Sequence, residues 1–218
     1  MAASVSGKTQ TTRLRADDRR RQIVDVAARL FSKKGFSGTT TKEIAEGAGV
    51  SEAIIFRHFP TKQTLYSAII EKKTRQTQQQ LQSDLKEAEC RKDDYAYFGS
   101  LAFDLLEIYL NDPTLMRLLL FSALEGHELA EMFFQSTARK VRDHVRRYIK
   151  QRIVDGAFRK VDARLYARAF VGMIIFHAEV RVIHKNSVSD DVKLPSRQIA
   201  DGFVDLFLRG IRKNDADD

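Results

Sequence analysis

The chain has 218 residues, with 37 Lys and Arg against 29 Asp and Glu, a net charge of +8 and 43% hydrophobic residues. That content is enough for one larger or two modest cores, which sets aside an intrinsically disordered chain. No apolar run approaches the ~18 residues of a membrane span, and the single cysteine, Cys90, allows no intramolecular disulfide and fits a reducing cytoplasm.

The positive charge is unevenly placed. Residues 1–75 hold 15 Lys and Arg and 7 Asp and Glu, whereas residues 76–218 hold 22 of each. A basic third joined to a neutral remainder is the electrostatic footprint of a duplex-binding module. The opening stretch, MAASVSGKTQTTRLRADD, is polar and basic and lacks the apolar segment of a signal peptide. It reads as a mobile arm over 1–18. With only 3 prolines and helix formers dominating, the rest reads as all-α.

The most telling stretch is 39–62, TTTKEIAEGAGVSEAIIFRHFPTK. Thr40 and Thr41 are N-cap candidates, and Glu43 three residues after Thr40 has the spacing of a capping box. Ile44, Ala45 and Ala48 give a short helix its apolar stripe. Gly47 weakens that helix, and Gly49 ends it. Val50 is placed to plug the turn. Ser51 is positioned to cap a second helix, Glu52 to His58, in which Ile55 and Phe59 face inward while Glu52, Ala53, Phe56 and Arg57 face outward. Pro60 stops it, and Thr61 caps the next helix at Lys62. Two short helices around a glycine turn form a helix-turn-helix, whose second helix enters the major groove of DNA.

The run AGVSEAIIFRHFPTKQTLY resembles the DNA-binding signature of the tetracycline-repressor (TetR) family of bacterial regulators, at Gly49-Val50-Ser51, Phe56, His58-Phe59 and Lys62. The preceding helix, IVDVAARLFSKKGFSGTTTKEIA, resembles the family's opening helix and its following element at Gly35-Phe36 and Thr39-Thr40. The match covers roughly residues 20–70. In the family the aromatic ahead of the His-Phe pair is often a tyrosine that contacts a phosphate. Phe56 lacks that hydroxyl. The resemblance implies DNA contacts from Thr40, Thr41, Lys42, Ser51, Glu52, Ala53, Phe56, Arg57, His58 and Lys62. Arg57 could read a guanine edge or hold a phosphate, and both readings stay open.

Farther along, Leu65, Tyr66, Ile69 and Ile70 begin a long helix expected to run on through TRQTQQQLQSDLKEAE and to be the one covalent link between the two parts. Cys90, in the charged run LKEAECRKDD, reads as a surface or boundary residue. Helices follow over 93–111, 114–124, 128–155, 162–185 and 196–212. They are separated by Asn111-Asp112-Pro113, Glu125-Gly126-His127, Gly156 and the polar loop KNSVSDDVKLP. The last two are apolar on several faces and so need more than one neighbour. A second copy of the chain is the simplest one, and the resemblance implies a four-helix dimer interface there. Ala167, Val171, Ile174, Ala178, Val182, Phe203, Phe207 and Gly210 are the expected interface residues. A wholly intramolecular bundle is the other possibility.

Aromatic and methionine side chains concentrate after residue 96, and most read as core. The resemblance implies a ligand pocket among these helices, and Leu105, Tyr109, Leu120, Phe133, Thr137, Met173 and His177 are the expected effector-binding residues. No catalytic constellation stands out. The five histidines, His58, His127, His144, His177 and His184, form no close cluster of metal-ligand spacing. A phosphate-binding glycine loop and nucleophile motifs are missing from the sequence.

The sequence therefore predicts an all-α protein that is not an enzyme and needs no cofactor or metal. It divides into an arm (1–18), a three-helix helix-turn-helix domain (19–66), a helical ligand-binding and dimerisation domain (67–212) and an acidic tail (213–218). The expected function is a cytoplasmic, homodimeric repressor that binds a palindromic double-stranded operator, responds to an apolar or amphipathic small molecule and engages no membrane. The competing class is a helical ligand carrier or interaction protein that does not bind DNA.

Overall fold

The computed structural model describes residues 6–80, 84–184 and 194–213. Among them the protein is helical, as expected: α1 (Ser6–Lys34), α2 (Thr41–Ala48), α3 (Glu52–His58), α4 (Lys62–Gln80), α5 (Asp84–Arg91), α6 (Asp94–Asn111), α7 (Thr114–Leu124), α8 (Glu128–Phe133), α9 (Arg139–Val154), α10 (Ala163–Ile183) and α11 (Ser196–Ile211). A wide π-type turn, Phe134–Ala138, joins α8 to α9, with Arg139 N–H donating five residues back to Phe134 O. It interrupts the helix expected over 128–155. Helix α1 starts inside the stretch read as an arm. The expected acidic tail beyond Lys213 and the loop over 185–193 lie outside the described residues, as does the 81–83 piece of the expected long helix.

The chain folds as two compact units, residues 1–73 with 117–130, and residues 74–116 with 131–218. It passes between them three times, at 73/74, 116/117 and 130/131, so α4 is not the one covalent link.

In the first unit, α1 packs on α2; α1 buries Ile23, Val24, Ala27 and Phe31, α2 buries Ile44, Ala45 and Ala48, and α4 buries Leu65, Tyr66, Ile69 and Ile70, with the Phe31 ring edge-on to Tyr66. Each large side chain withdrawn from water contributes about 1.5–3 kcal/mol. The approach of α1 to α2 is close enough that a Cβ at Gly47 would sit 2.8 Å from Val26 Cγ1. The last turns of α7 belong to this unit. Arg117 Nε donates to Ser32 O at 2.6 Å, and Tyr66 Oη donates to Leu118 O at 2.8 Å. Glu125 accepts from the N–H groups of Phe36 and Ser37 at 3.0 and 3.2 Å. The His127 ring stands edge-on to Phe36, with centroids 4.5 Å apart.

In the second unit, α6 is the central helix and packs on α5, α10 and α11, while α9 packs on α10. Phe98 lies against Tyr148, Phe158, Phe170 and Phe207. Tyr97 stacks on Tyr148 at 3.7 Å between centroids. Asp94, buried at the start of α6, accepts from Tyr148 Oη at 2.9 Å and from Arg152 Nε and Nη2 at 2.7 and 3.2 Å. Arg152 also pairs with Asp155 at 2.9 Å. This ties the first turn of α6 to the end of α9.

Removing one partner of a buried pair strands the other charge, a loss of about 3–5 kcal/mol. Arg152→Met is therefore expected to lower the denaturant midpoint clearly with an unchanged slope. A midpoint equal to wild type would show that the pair holds nothing together.

Candidate nucleic-acid interface

Helix α2 begins on a full capping box. Thr40 Oγ1 accepts from Glu43 N–H at 3.2 Å, and Glu43 Oε2 accepts from Thr40 N–H at 2.9 Å. Lys34 Nζ lies 2.6 Å from Glu43 Oε1, and together with the Thr40 bonds it pulls the Glu43 carboxyl down to about 2. The cap thus stays ionised through the physiological range. Gly49 closes α2 with φ of 62°, a left-handed turn that a Cβ would strain, and its N–H donates to Ala45 O and Glu46 O.

Helix α3 starts differently from expectation. The Ser51 hydroxyl makes no bond to the α3 backbone. The Ser51 carbonyl instead accepts from the N–H groups of Ile54 and Ile55, so backbone alone begins the helix. Ile55 and Phe59 are buried as anticipated, and Val50 is half-buried. Arg20 lies over the Phe59 ring at 4.7 Å, and Gln22 Nε2 donates to Ala48 O at 3.1 Å. The next helix opens on Thr61 and Thr64, each hydroxyl accepting from the other's N–H at 3.1 Å.

The expected outward residues are outward. Ser51, Glu52, Ala53 and Arg57 are exposed, and Phe56 keeps 44% of its surface free. Thr40 and Lys42 are exposed beside them, and Thr41 is half-buried with its hydroxyl donating to Glu52 Oε2. Two residues turn partly inward. Lys62 holds its ammonium over the Phe36 ring at 4.2 Å, where burial lowers its proton affinity. His58 is half-buried, and burial together with Arg57, Arg20 and Arg19 favours its neutral form. Arg19 and Arg20 therefore add positive charge beside the end of α3. Sequence spacing could not place them there, because the link runs from one element to another.

The residues expected at an effector site are divided. Leu105 and Tyr109 on α6, Phe133 and Thr137 at the π turn, and Met173 and His177 on α10 all belong to the second unit. Leu120 belongs to the first. Leu105, Tyr109, Phe133 and Thr137 are buried, and burial pushes the Tyr109 hydroxyl up to about 12. His177 stands edge-on to Phe203 at 5.6 Å between centroids. Its Nε2 is buried without a hydrogen-bond partner among the described residues, and burial followed by Arg181 lowers its proton affinity.

The expected dimer residues differ in exposure. Ala167, Ile174, Ala178, Val182 and Phe207 are buried inside one chain and leave no surface for a partner. Val171 and Phe203 are half-buried, and Gly210 is exposed. The outward stripe of α10 is instead Leu165, Ala169, Gly172, Phe176 and Ile183, spaced three to four residues apart through most of its length. On α11 it is Gly202, Leu206 and Gly210. Leu165, Phe176 and Leu206 are 61%, 68% and 64% exposed, large values for apolar side chains.

Among the described residues no group of three His, Cys, Asp or Glu side chains could hold a metal ion, and no helix is long and apolar enough to cross a membrane.

Residues 23–69 match the model of bacterial regulatory proteins of the tetR family, and residues 101–210 match that of the AefR-like transcriptional repressor C-terminal domain. The chain is 28% identical over 207 residues to YvkB, an uncharacterized HTH-type transcriptional regulator of Bacillus subtilis, covering 88% of this chain and 96% of that one. It is 47% identical over 60 residues to the HTH-type transcriptional regulator AcrR of Shigella flexneri, 28% of each chain. Its fold is shared with a TetR-family regulator from Mesorhizobium loti (TM-score 0.69, 21% identity, 91% of this chain and 99% of that one). It is also shared with AibR solved with isovaleryl coenzyme A and operator DNA (TM-score 0.67, 23% identity, 86% and 97%). These relatives are regulators rather than enzymes, and the model over 101–210 alone spans half of the sequence. The chain belongs to the TetR family of helix-turn-helix transcriptional regulators.

Proposed function

We propose that the protein is a homodimeric, ligand-responsive repressor that binds a palindromic operator and leaves it when a small molecule occupies the second unit. The observation that carries the DNA reading is the outward face of α3. Glu52, Ala53, Phe56 and Arg57 are exposed on a helix whose other side is anchored by Ile55 and Phe59. Residues 19–66 would form the DNA-reading domain, with 117–130 folded onto it, and 67–212 would supply the rest. Phosphate-holding groups at Thr40, Lys42 and His58 flank the reading face. Lys62, whose ammonium lies over the Phe36 ring, begins the helix that follows that face.

The outward stripe of Leu165, Phe176 and Leu206, with glycines beside it, supports an isologous dimer in which α10 and α11 of each copy pack together. Two helix-turn-helix units would then grip half-sites about 34–36 Å apart. For the effector, the buried Tyr109 and Phe133 side chains favour an apolar or amphipathic molecule, and the unpartnered His177 Nε2 offers it one hydrogen bond. That AibR was solved with both an acyl thioester and operator DNA supports a fold of this kind serving both ligands.

The test of the DNA reading is a mobility shift with duplexes from the promoter region beside the gene. Binding that weakens steeply with salt is expected for a regulator, and failure to bind any duplex would favour a ligand carrier. Phe56→Tyr restores a phosphate-reaching hydroxyl. It is expected to tighten binding to all sequences alike, about two- to tenfold for one net hydrogen bond; an unchanged affinity would place residue 56 away from the backbone.

Phe176→Asp with Leu206→Asp puts charge on surface-exposed positions, so the fold should survive. Light scattering should then show monomers, with operator affinity lost along with the dimer. A monodisperse dimer carrying both changes would exclude this face.

A further inference from the structure

On the reading of α3 as a DNA-binding helix, we infer that Glu52 is a base-reading carboxylate selecting cytosine at one position of each half-site, and that Thr41 holds it in place. Glu52 is exposed at the beginning of α3, and Thr41 lies eleven residues earlier at the beginning of α2. The Thr41 hydroxyl donates to Glu52 Oε2 across the Gly49 turn. Among the described residues no Lys or Arg pairs with this carboxylate.

An unneutralised carboxylate is a costly group to bring to a polyanion, because phosphates repel it. It is an acceptor only. In the major groove the donors it can meet are the amino groups N4–H2 of cytosine and N6–H2 of adenine. Adenine presents its N7 acceptor beside N6, and a carboxylate's second oxygen would face that lone pair. Cytosine presents no acceptor of its own on that edge. The carboxylate therefore discriminates for cytosine, and against every base that offers it only acceptors.

Thr41 makes the discrimination sharper. A free glutamate must lose side-chain freedom on binding. Here one oxygen is already held by Thr41, and the other is left to accept from the base. Thr41 is a positioning residue, and its hydroxyl is engaged before DNA arrives. Ala53 and Phe56 beside Glu52 carry no charge, so neither supplies a cation that would turn it away from the bases.

Selection from a random duplex pool tests this with the full-length protein and four variants. Wild type should enrich a palindrome with a fixed cytosine in each half-site, preferred about tenfold over other bases. Glu52→Gln, whose amide matches adenine N6 and N7, should move that one position to adenine and leave the rest unchanged. Glu52→Ala should relax the position to no preference while tightening binding to random duplex. Thr41→Val should keep the cytosine with a severalfold weaker preference and an unchanged salt slope, and Thr41→Ser should restore it. If Glu52→Gln and Glu52→Ala select the wild-type palindrome and merely bind all duplexes more tightly, the carboxylate repels phosphate and reads nothing, and the inference is overturned while the DNA reading stands. A wild-type pool with no enriched sequence would overturn both.

Discussion

The recognition helix cannot support itself. At seven residues it is far shorter than the ~12–15 at which an isolated helix becomes even marginal in water. The Ser51 hydroxyl gives its backbone no cap. Its direction is therefore dictated from outside: by the left-handed turn at Gly49 before it, by Ile55 and Phe59 sunk into the core, and by Arg20 across the Phe59 ring. Because those anchors occupy one side, the exposed residues are pinned to the other. The acidic Glu52, apolar Ala53 and Phe56, and basic Arg57 are then held on one side of a rigidly placed helix. A surface that reads base edges needs that rigidity.

The same dependence extends to the end of α7. Glu125 binds the two backbone N–H groups that follow the α1 turn, Arg117 binds the Ser32 carbonyl near the end of α1, and His127 completes an aromatic cluster with Phe36 and Tyr66. Lys62 lies over the same Phe36 ring. Residues 117–130 are thus part of the body that orients α3, while the residues just before and after them belong to the other unit. A displacement of the chain at 116/117 or 130/131 has a covalent route to the recognition helix besides α4. In the second unit, polar and aromatic contacts share the fastening. The Asp94, Tyr148 and Arg152 group fixes α6 to α9, and aromatic packing around Phe98 fixes α6 to α10 and α11.

Local signals were legible in the sequence, and long-range ones were not. The Thr40–Glu43 capping box, the Gly49 turn and the α6, α7, α10 and α11 boundaries follow from capping and breaker residues a few positions apart. So does the division of α3 into buried and exposed sides. The inward face of α10 was not legible, because apolar residues occupy nearly every side of it. Periodicity cannot then say whether Ala167 and Ile174 or Leu165 and Phe176 meet the chain's own core. The π turn at Phe134–Ala138 has no proline or glycine to announce it. The attachment of Glu125 to Phe36 and Ser37 spans 89 and 88 residues, beyond any local pattern. Ser51 shows the reverse case, a residue type ideal for capping that leaves the work to its own carbonyl.

Positive charge alone does not locate the DNA-binding surface, since α9 also carries exposed Lys140, Arg147 and Lys150. What separates the two surfaces is the anchored geometry of α2 and α3. Amide hydrogen exchange, followed residue by residue with and without a duplex carrying the protein's selected site, tests that difference directly. Slowed exchange concentrated at residues 40–43 and 51–58 is the predicted result. Slowing confined to Arg139–Val154, with α2 and α3 unchanged, would contradict it.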